Sequence, residues 1–580
     1  MIFTIFIFGQ EVFSEDWTMW RYDAGRTAAS PGELPDMLHL LWIRQYRQRT
    51  MVWDDPLNQD LMPYDRVFEP VVMGKTMFIG FNDSDKVVAL DTDTGREKWT
   101  FYVDGPVRFP SVAWNGKVYF TSDDGYLYCV SAQNGELLWK IRGGPSDRKI
   151  LGNRRFISTW PARGGPVIED GIVYFTASIW PFMGIFIYAV DAETGRIIWK
   201  NDGTGSHYML QPHDAPSFAG VAPQGALVVA GDKLLVPGGR SVPACFNRHT
   251  GEFLYYELAA NNKTGGSFVC ALDDVFFNHH RERVTTMYDV QTGKALIRNI
   301  GNYPVLTKET RYFSGKSVTA LKSGWIKANM EKWNKNFPDP KELRRLFMKK
   351  LKEKLLWNLT VDASGDLIKA GNRLYAAGGQ QITVIDLGNG ISEPKIALTI
   401  SVEGTIERLV AADNKLFAVT LDGQIMAFGA RKTKPLQILS RSFVKESSTK
   451  MNKEAVEILD QTGVTDGYAL FYGVGDGDLL EALVRNSELH IIAVDPNEKK
   501  VLEMRRRFDL SGFYGERVSI LRGDPFSLQA PPYMASLTIF HELDLSKYKL
   551  DETFLNRIYT PMRPYGGITR LPLEGKRRDS

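Results

Sequence analysis

Three glycines and two acids near the C-terminus have the types and the spacing to hold a nucleoside. The phrase Gly473-Val474-Gly475-Asp476-Gly477-Asp478 follows the apolar run Ala469-Leu470-Phe471-Tyr472 and precedes the helix-forming Leu479-Leu480-Glu481-Ala482-Leu483-Val484. Glycines at this turn let the backbone approach a ligand closely, and an acid at the end of the next strand hydrogen-bonds ribose hydroxyls. Asp495 is that acid. It stands eighteen residues after Gly477, at the end of Leu489-His490-Ile491-Ile492-Ala493-Val494. A third strand, Val518-Ser519-Ile520-Leu521, runs into Gly523-Asp524-Pro525 and adds the carboxylate of Asp524. The dinucleotide fingerprint G-x-G-x-x-G fits this loop less well.

Other chemistry-bearing residues are sparse. Cys129, Cys245 and Cys270 are too few and too scattered for a disulfide scaffold or a zinc site. They read as buried thiols, with a Cys245–Cys270 bridge left open for an oxidising compartment. His207, His213-Asp214 and His279-His280-Arg281 read as inter-strand loop residues without a third well-spaced ligand, so no metal is assigned.

The elements that must position these groups fall into two sets. Before residue 430 one phrase recurs: an apolar strand, an acid-x-x-Thr-Gly turn, and a Trp in the next strand. Clean copies run Val88 to Gly95 with Trp99, Tyr128 to Gly135 with Trp139, and Tyr188 to Gly195 with Trp199. The tryptophans lie 40 and then 60 residues apart, which is one four-stranded unit with a loop insertion before the third. Weaker copies, Asn247 to Gly251 with Tyr255 and Asp289 to Gly293 with Ile297, precede two that lack the Trp, at 373–387 and 415–428. Seven units result. The turn glycine allows positive φ, the acid accepts backbone N–H bonds, and the Trp buries a flat surface between neighbours.

This phrase resembles the Trp-docking repeat of the PQQ-repeat propellers, a family that includes quinoprotein alcohol dehydrogenases and the outer-membrane-protein assembly lipoprotein. The resemblance covers roughly residues 17–430. It implies a seven- or eight-bladed β-propeller, with Trp17 to Arg21 through Leu40-Leu41-Trp42 as the opening strand that closes the ring. An eighth blade would call for strands after residue 430, which points to a chain truncated at its C-terminus; the alternative is a seven-bladed ring closed by the N-terminal strand, which needs nothing further. From about residue 445 the order β, glycine loop, α, β, acid resembles a class I S-adenosylmethionine methyltransferase, a Rossmann-like doubly wound fold. By that match Gly473, Gly475 and Gly477 cradle the cofactor, Asp495 holds ribose and Asp524 lies beside adenine. His541-Glu542 stands where an Asn-Pro-Pro-Tyr-type catalytic motif is expected, so acceptor chemistry is unsupported. Arg563-Pro564-Tyr565-Gly566-Gly567 resembles the turn before a late strand of such domains.

Composition and charge narrow the classes further. The chain has 580 residues, 43% hydrophobic and 24% charged, which implies a globular protein of at least two domains or one large repeat architecture. A net charge of +3 leaves no field that selects nucleic acid. Ile2 to Phe8 is a short apolar run without a basic flank, too short to span a bilayer, and reads either as the end of a secretory signal or as an ordinary buried strand. Leu343, Phe347, Leu351 and Leu355 recur at helical spacing inside the interruption Lys322 to Trp357, which predicts a basic amphipathic helix. The expected organisation is a signal-like segment at 1–16, a propeller at 17–440 with a helical insertion near 322–357, and a truncated methyltransferase-like domain at 445–580. The favoured function is an extracytoplasmic, periplasmic scaffold that offers a propeller face to a protein partner. S-adenosylmethionine is the cofactor of the alternative reading. PQQ with calcium is disfavoured, because no adjacent-cysteine pair and no convincing calcium set of Glu and Asn oxygens stand in the sequence.

Overall fold

The structure is a computed structural model that describes Glu15 to Pro572 except residues 53–63, 211–214, 239–240, 259–263, 281–283, 326, 330–344, 347–348, 352, 389–392 and 440–447. The signal-like run at 2–8, His213-Asp214, Arg281 and most of the helical insertion lie outside the described residues. Helical turns are described around Arg345-Leu346 and Lys349 to Leu351, whereas Leu355 begins a strand, so the predicted helix stops before it.

Eight antiparallel sheets of the repeat make the body of the molecule, an eight-bladed β-propeller. In chain order the blades span residues 71–102, 112–142, 164–201, 228–258, 264–301, 305–359, 366–401 and 406–429, numbered here 1 to 8. The eighth blade takes its fourth strand from His39–Gln45, antiparallel to Gln424–Gly429, so the N-terminal strand closes the ring as expected. Leu436–Leu439 then adds to His39–Gln45 in parallel. The unit missing from the sequence count is blade 6. Its strands are Val305–Leu306, Thr310–Phe313, Val318–Lys322 and Leu355–Leu359, with the insertion placed between the third and the fourth. The eighth blade is therefore internal and requires no strand after residue 430.

Blades lock through the repeat consensus. Asp91 accepts from the Thr94 N–H at 2.9 Å and its hydroxyl at 2.8 Å, and Asp191 repeats this with Thr194 and Asp289 with Thr292. Each turn so formed receives the aromatic ring of the preceding blade. The Trp99 indole N–H donates to the Ala132 carbonyl at 3.0 Å, Trp199 to Arg248 at 2.9 Å, and the Tyr255 hydroxyl to Val290 at 2.8 Å. Tyr255 thus does in blade 4 what tryptophan does in blades 1 and 3.

The C-terminal residues build a separate, all-parallel sheet. Its strands are β1 (Tyr468–Tyr472), β2 (His490–Asp495), β3 (Val518–Arg522), β4 (Ala535–Phe540) and β5 (Ile568–Arg570), in the order β3-β2-β1-β4-β5. β5 follows the Gly566-Gly567 turn directly. Alternate residues face two cores, as period-two geometry requires. Ala469, Phe471, Ile491 and Ala493 pack with helices α1 (Thr449–Thr462), α2 (Asp478–Arg485) and α3 (Glu498–Leu510). Leu470, Tyr472, Ile492 and Val494 pack with Phe554 and Ile558 of α4 (Glu552–Tyr559) and with Phe156. Phe156 belongs to the propeller hairpin Lys149–Gly152/Arg155–Ser158, whose Lys149 N–H bonds Gln529 at 3.1 Å. No helix forms between β3 and β4, and the hairpin covers that stretch of sheet instead. On the other side Lys86 meets both oxygens of Asp509 at 2.5 and 2.6 Å, Tyr102 donates to Asp509 at 2.8 Å, and Tyr514 donates to Val103 at 3.2 Å.

Candidate functional site

Two regions bring chemistry-bearing residues together. The first is the C-terminal edge of the parallel sheet, where β1 and β4 lie side by side although β2 and β3 intervene in sequence. In such sheets ligands bind at this reversal of strand order. Gly473, Gly475 and Gly477 form the loop from β1 into α2, with φ of 83°, 56° and 85°. Asp495 ends β2 and is buried; one of its oxygens accepts the Val474 N–H at 3.0 Å and the other the Asn497 N–H at 2.8 Å. Each carboxylate oxygen retains a further lone pair for a ligand hydroxyl. Asp524 is half-buried and caps its own turn, accepting from Phe526 and Ser527 N–H at 2.9 and 2.8 Å. Tyr548 stands beside it, and burial together with the Asp524 charge raises the Tyr548 hydroxyl above its ordinary value.

The three glycines have different work: a Cβ on Gly473 would lie 2.4 Å from the Leu543 backbone nitrogen, so this glycine admits the chain that follows β4. A Cβ on Gly477 would lie 2.5 Å from the Met504 sulfur, so this glycine admits α3 against the loop. A Cβ on Gly475 would lie 3.0 Å from the Glu542 carboxyl carbon, which places the Glu542 side chain over the loop. The sequence brought Glu542 to notice only as a departure from a catalytic motif; its ionic neighbours are His541 at 3.8 Å and Lys500 at 4.0 Å.

The second region is the propeller axis, which sequence reasoning missed. Trp20, Tyr64, Asp65, Glu69, Arg108, Phe268, Tyr303 and Arg408 line one cavity although they come from widely separated parts of the chain. Asp65 pairs with Arg49 at 2.8 Å, and it also meets Arg108 and the Asn82 amide. Arg108 bridges on to Asp123 at 2.6 Å, and Arg163 holds both Asp123 oxygens at 2.9 and 2.8 Å. Burial by itself would raise the Asp123 carboxyl, but Arg163 and Arg108 outweigh it and hold it at about 2. Glu69 accepts from Arg408 at 2.8 and 2.7 Å and from the Trp20 indole at 3.0 Å. Here burial prevails over Arg408 and the Glu69 carboxyl is raised. The available signal was an arginine at the entry to successive inner strands, Arg108 before Val112 and Arg163 before Gly164.

The remaining predicted residues separate. His207 and His279-His280 sit in strands, His207–Leu210 and Val275–His280, and not in loops. His207 stacks on Phe253 at 4.9 Å and His279 is buried. Cys129, Cys245 and Cys270 are buried free thiols, and burial lifts each to about 12. Among the described residues no group of His, Cys, Asp and Glu is arranged to hold a metal ion, and no helix is long and apolar enough to cross a membrane. Exposed aromatics collect instead on one projection. Tyr208 and Phe218 pair across the hairpin His207–Leu210/Pro216–Ala219 at 5.2 Å, and Trp180 and Phe182 pair at 6.2 Å on the neighbouring turn. Pro181 lies against Gly205 and Gly220, which flank that hairpin, so the turn and the hairpin adjoin. Phe182 is 81% exposed, Phe218 73% and Tyr208 65%.

Residues 42–294 match the family described as outer membrane protein assembly factor BamB. The chain is 32% identical over 171 residues to the dehydrogenase subunit of the quinone alcohol dehydrogenase of Gluconobacter oxydans, covering 26% of this chain and 22% of that protein. It is 24% identical over 205 residues to outer membrane protein assembly factor BamB of Burkholderia pseudomallei, covering 35% of this chain and 48% of that one. The chain thus spans about a fifth of the length of the quinone dehydrogenase subunits it matches. Among solved structures it is similar to the quinohemoprotein alcohol dehydrogenase of Comamonas testosteroni, with a TM-score of 0.47 at 12% identity over 77% of this chain and 85% of that chain.

Proposed function

We propose that the chain is an extracytoplasmic binding scaffold whose propeller engages a protein partner through the aromatic surface of Trp180, Phe182, Tyr208 and Phe218. The carrying observation is that two aromatic pairs, Trp180 with Phe182 and Tyr208 with Phe218, are exposed on adjoining surface elements. Exposed apolar clusters on a polar surface mark interaction sites, and aromatic residues are enriched in binding hot spots. The match of residues 42–294 to an outer membrane assembly factor supports the compartment and the kind of work. A photo-crosslinking residue placed at Tyr208 tests this. A discrete adduct from Tyr208, absent from the same probe at the solvent-facing Lys432, supports it; identical products from both sites contradict it.

A second reading is favoured by the sheet order and the glycine loop. As a Rossmann-like methyltransferase, the C-terminal part would hold S-adenosylmethionine with its ribose on Asp495 and its adenine beside Asp524. The residues fit a nucleoside without phosphates, because Asp495, Asp524 and Glu542 all present carboxylates at that edge and repel a phosphate. S-adenosylmethionine, when bound, supplies an electrophilic methyl group. This chain's part is to seat the nucleoside on Gly473 and Gly475 and to set a carboxylate, Glu542, beside the loop. A calorimetric titration with S-adenosylmethionine and S-adenosylhomocysteine decides it: saturable binding supports this reading, and silence removes it.

A further inference from the structure

We infer that the propeller axis is a permanent keystone, built from the N-terminal segment Trp17–Ser30 and a ring of arginine–carboxylate pairs, and that it takes neither a quinone nor a metal ion. The segment stitches six of the eight blades. Trp17 bridges Val72 of blade 1; the carbonyls of Thr18, Ala24, Gly25, Thr27 and Ala28 then accept in turn from Ala113, Val229, Ala271, Leu306 and Lys369 of blades 2, 4, 5, 6 and 7. Such a path needs sharp reversals, and Arg21, Tyr22, Arg26 and Ala28 all take positive φ. Non-glycine residues hold that conformation only where surrounding contacts enforce it. Arg26 shows the enforcement: it is fully buried and donates to the carbonyls of Leu227 at 2.8 Å and Pro166 at 3.0 Å. Arg21 reaches Asp366 at 3.1 Å and the Pro304 carbonyl at 2.7 Å.

The donor chemistry then excludes the cofactor that the dehydrogenase resemblance implies. A calcium or lanthanide ion needs six or more oxygens, several of them anionic and free to coordinate. Among the described residues Asp65, Asp123, Glu69 and Asp366 are buried carboxylates at the axis, each with arginine on it, and the buried Glu407 lies between Arg66 and Arg408. Freeing one for a metal strands a buried guanidinium, and freeing an arginine for a quinone carboxylate strands a buried acid. Each of these acids is already neutralised by arginine, so the role of the ring is to fix blades, and the working surfaces lie outside the axis. This inference stands apart from the partner-binding reading, since either can fail without the other.

The test is calorimetry on the full chain with PQQ in the presence of calcium, and then with lanthanum. No saturable heat and no shift in melting temperature is the expected result. Saturable binding that Asp65→Asn abolishes overturns the inference. Arg108→Leu gives an independent arm, because it removes the guanidinium that links Asp65 to Asp123 and leaves Asp65 with Arg49 alone and Asp123 with Arg163 alone. Its melting temperature falls by roughly 5 °C or more at neutral pH. The deficit narrows as pH falls and Asp123, left with Arg163 alone, takes up its proton. A variant that melts like the wild type overturns the keystone role, and if the variant fails to fold, the wild-type titration still decides.

Discussion

Trp42 docks on the turn of Gly95, its indole N–H on the Thr92 carbonyl at 2.8 Å, and so couples the last blade of the ring to the first. Trp42 lies in the strand that completes blade 8, whereas Gly95 belongs to blade 1. A Cβ on Gly95 would stand 2.7 Å from the indole, and its φ is +66°. Gly95→Ala is therefore expected to destabilise by roughly 2–4 kcal/mol, adding left-handed strain to overpacking. Trp42→Ala should remove roughly 3–5 kcal/mol by leaving a cavity. Denaturant unfolding of both variants checks the order, Trp42→Ala being at least as severe.

Acid stability should depend on Asp123. Its folded pKa of about 2 lies below the unfolded value near 4, so its contribution is complete above pH ~4 and disappears as pH falls towards 2. The linkage is worth roughly 2–3 kcal/mol. Asp85 has the opposite sign. Burial raises it to about 6 against the pull of Arg155, Arg108 and Arg505, so its charge is a liability above pH 6 that is relieved between pH 6 and 4. Stability measured from pH 8 to 2 should fall less steeply below pH 4 in Asp123→Asn, and Asp85→Asn should lose the rise between pH 6 and 4.

The contact of the parallel sheet with blade 1 should respond to Asp509. Asp509→Ala leaves Lys86 and Tyr102 without their acceptor. The expected cost is about 2 kcal/mol, below the ~3–5 kcal/mol of a fully buried pair because both side chains keep some water. Hydrogen exchange should quicken in α3 and in Glu97–Tyr102, and stay unchanged in blades 4 and 5.

Asp495 serves the loop before it serves any ligand. Asp495→Ala removes the acceptor of the Val474 and Asn497 N–H groups, an expected loss of about 1–3 kcal/mol in which a binding defect is confounded with a collapsed loop. Asp495→Asn keeps one oxygen acceptor and should melt closer to the wild type. Ligand titration of Asp495→Asn separates recognition from folding.

The sequence was legible where a local rule sets structure. The Asp-x-x-Thr-Gly turns and their tryptophans repeat, and the β1, glycine loop, α2, β2 order is contiguous, so both appear as strings. Blade 6 escaped because Val318–Lys322 and Leu355–Leu359 pair across the helical insertion, and no Thr-Gly turn joins them. Trp357, in its outer strand, was the remaining trace. The axial ring escaped for a different reason. Arg49, Arg108, Arg163 and Arg408 lie far apart in sequence, and only closure of the circle brings their partners into reach. The aromatic rim was invisible for want of a pattern, since exposure of Phe182 and Phe218 is a property of the folded surface.

The scaffold reading rests on partner binding by the aromatic surface. Its most direct test is quantitative capture from a native envelope extract with the wild type and with a Phe182→Ser/Phe218→Ser double variant of unchanged melting temperature. A defined species retained by the wild type and reduced at least tenfold by the variant is the expected result, as loss of two hot-spot aromatics implies (roughly 1.4 kcal/mol or more). Recovery of the same species in the same amount by both proteins would contradict it.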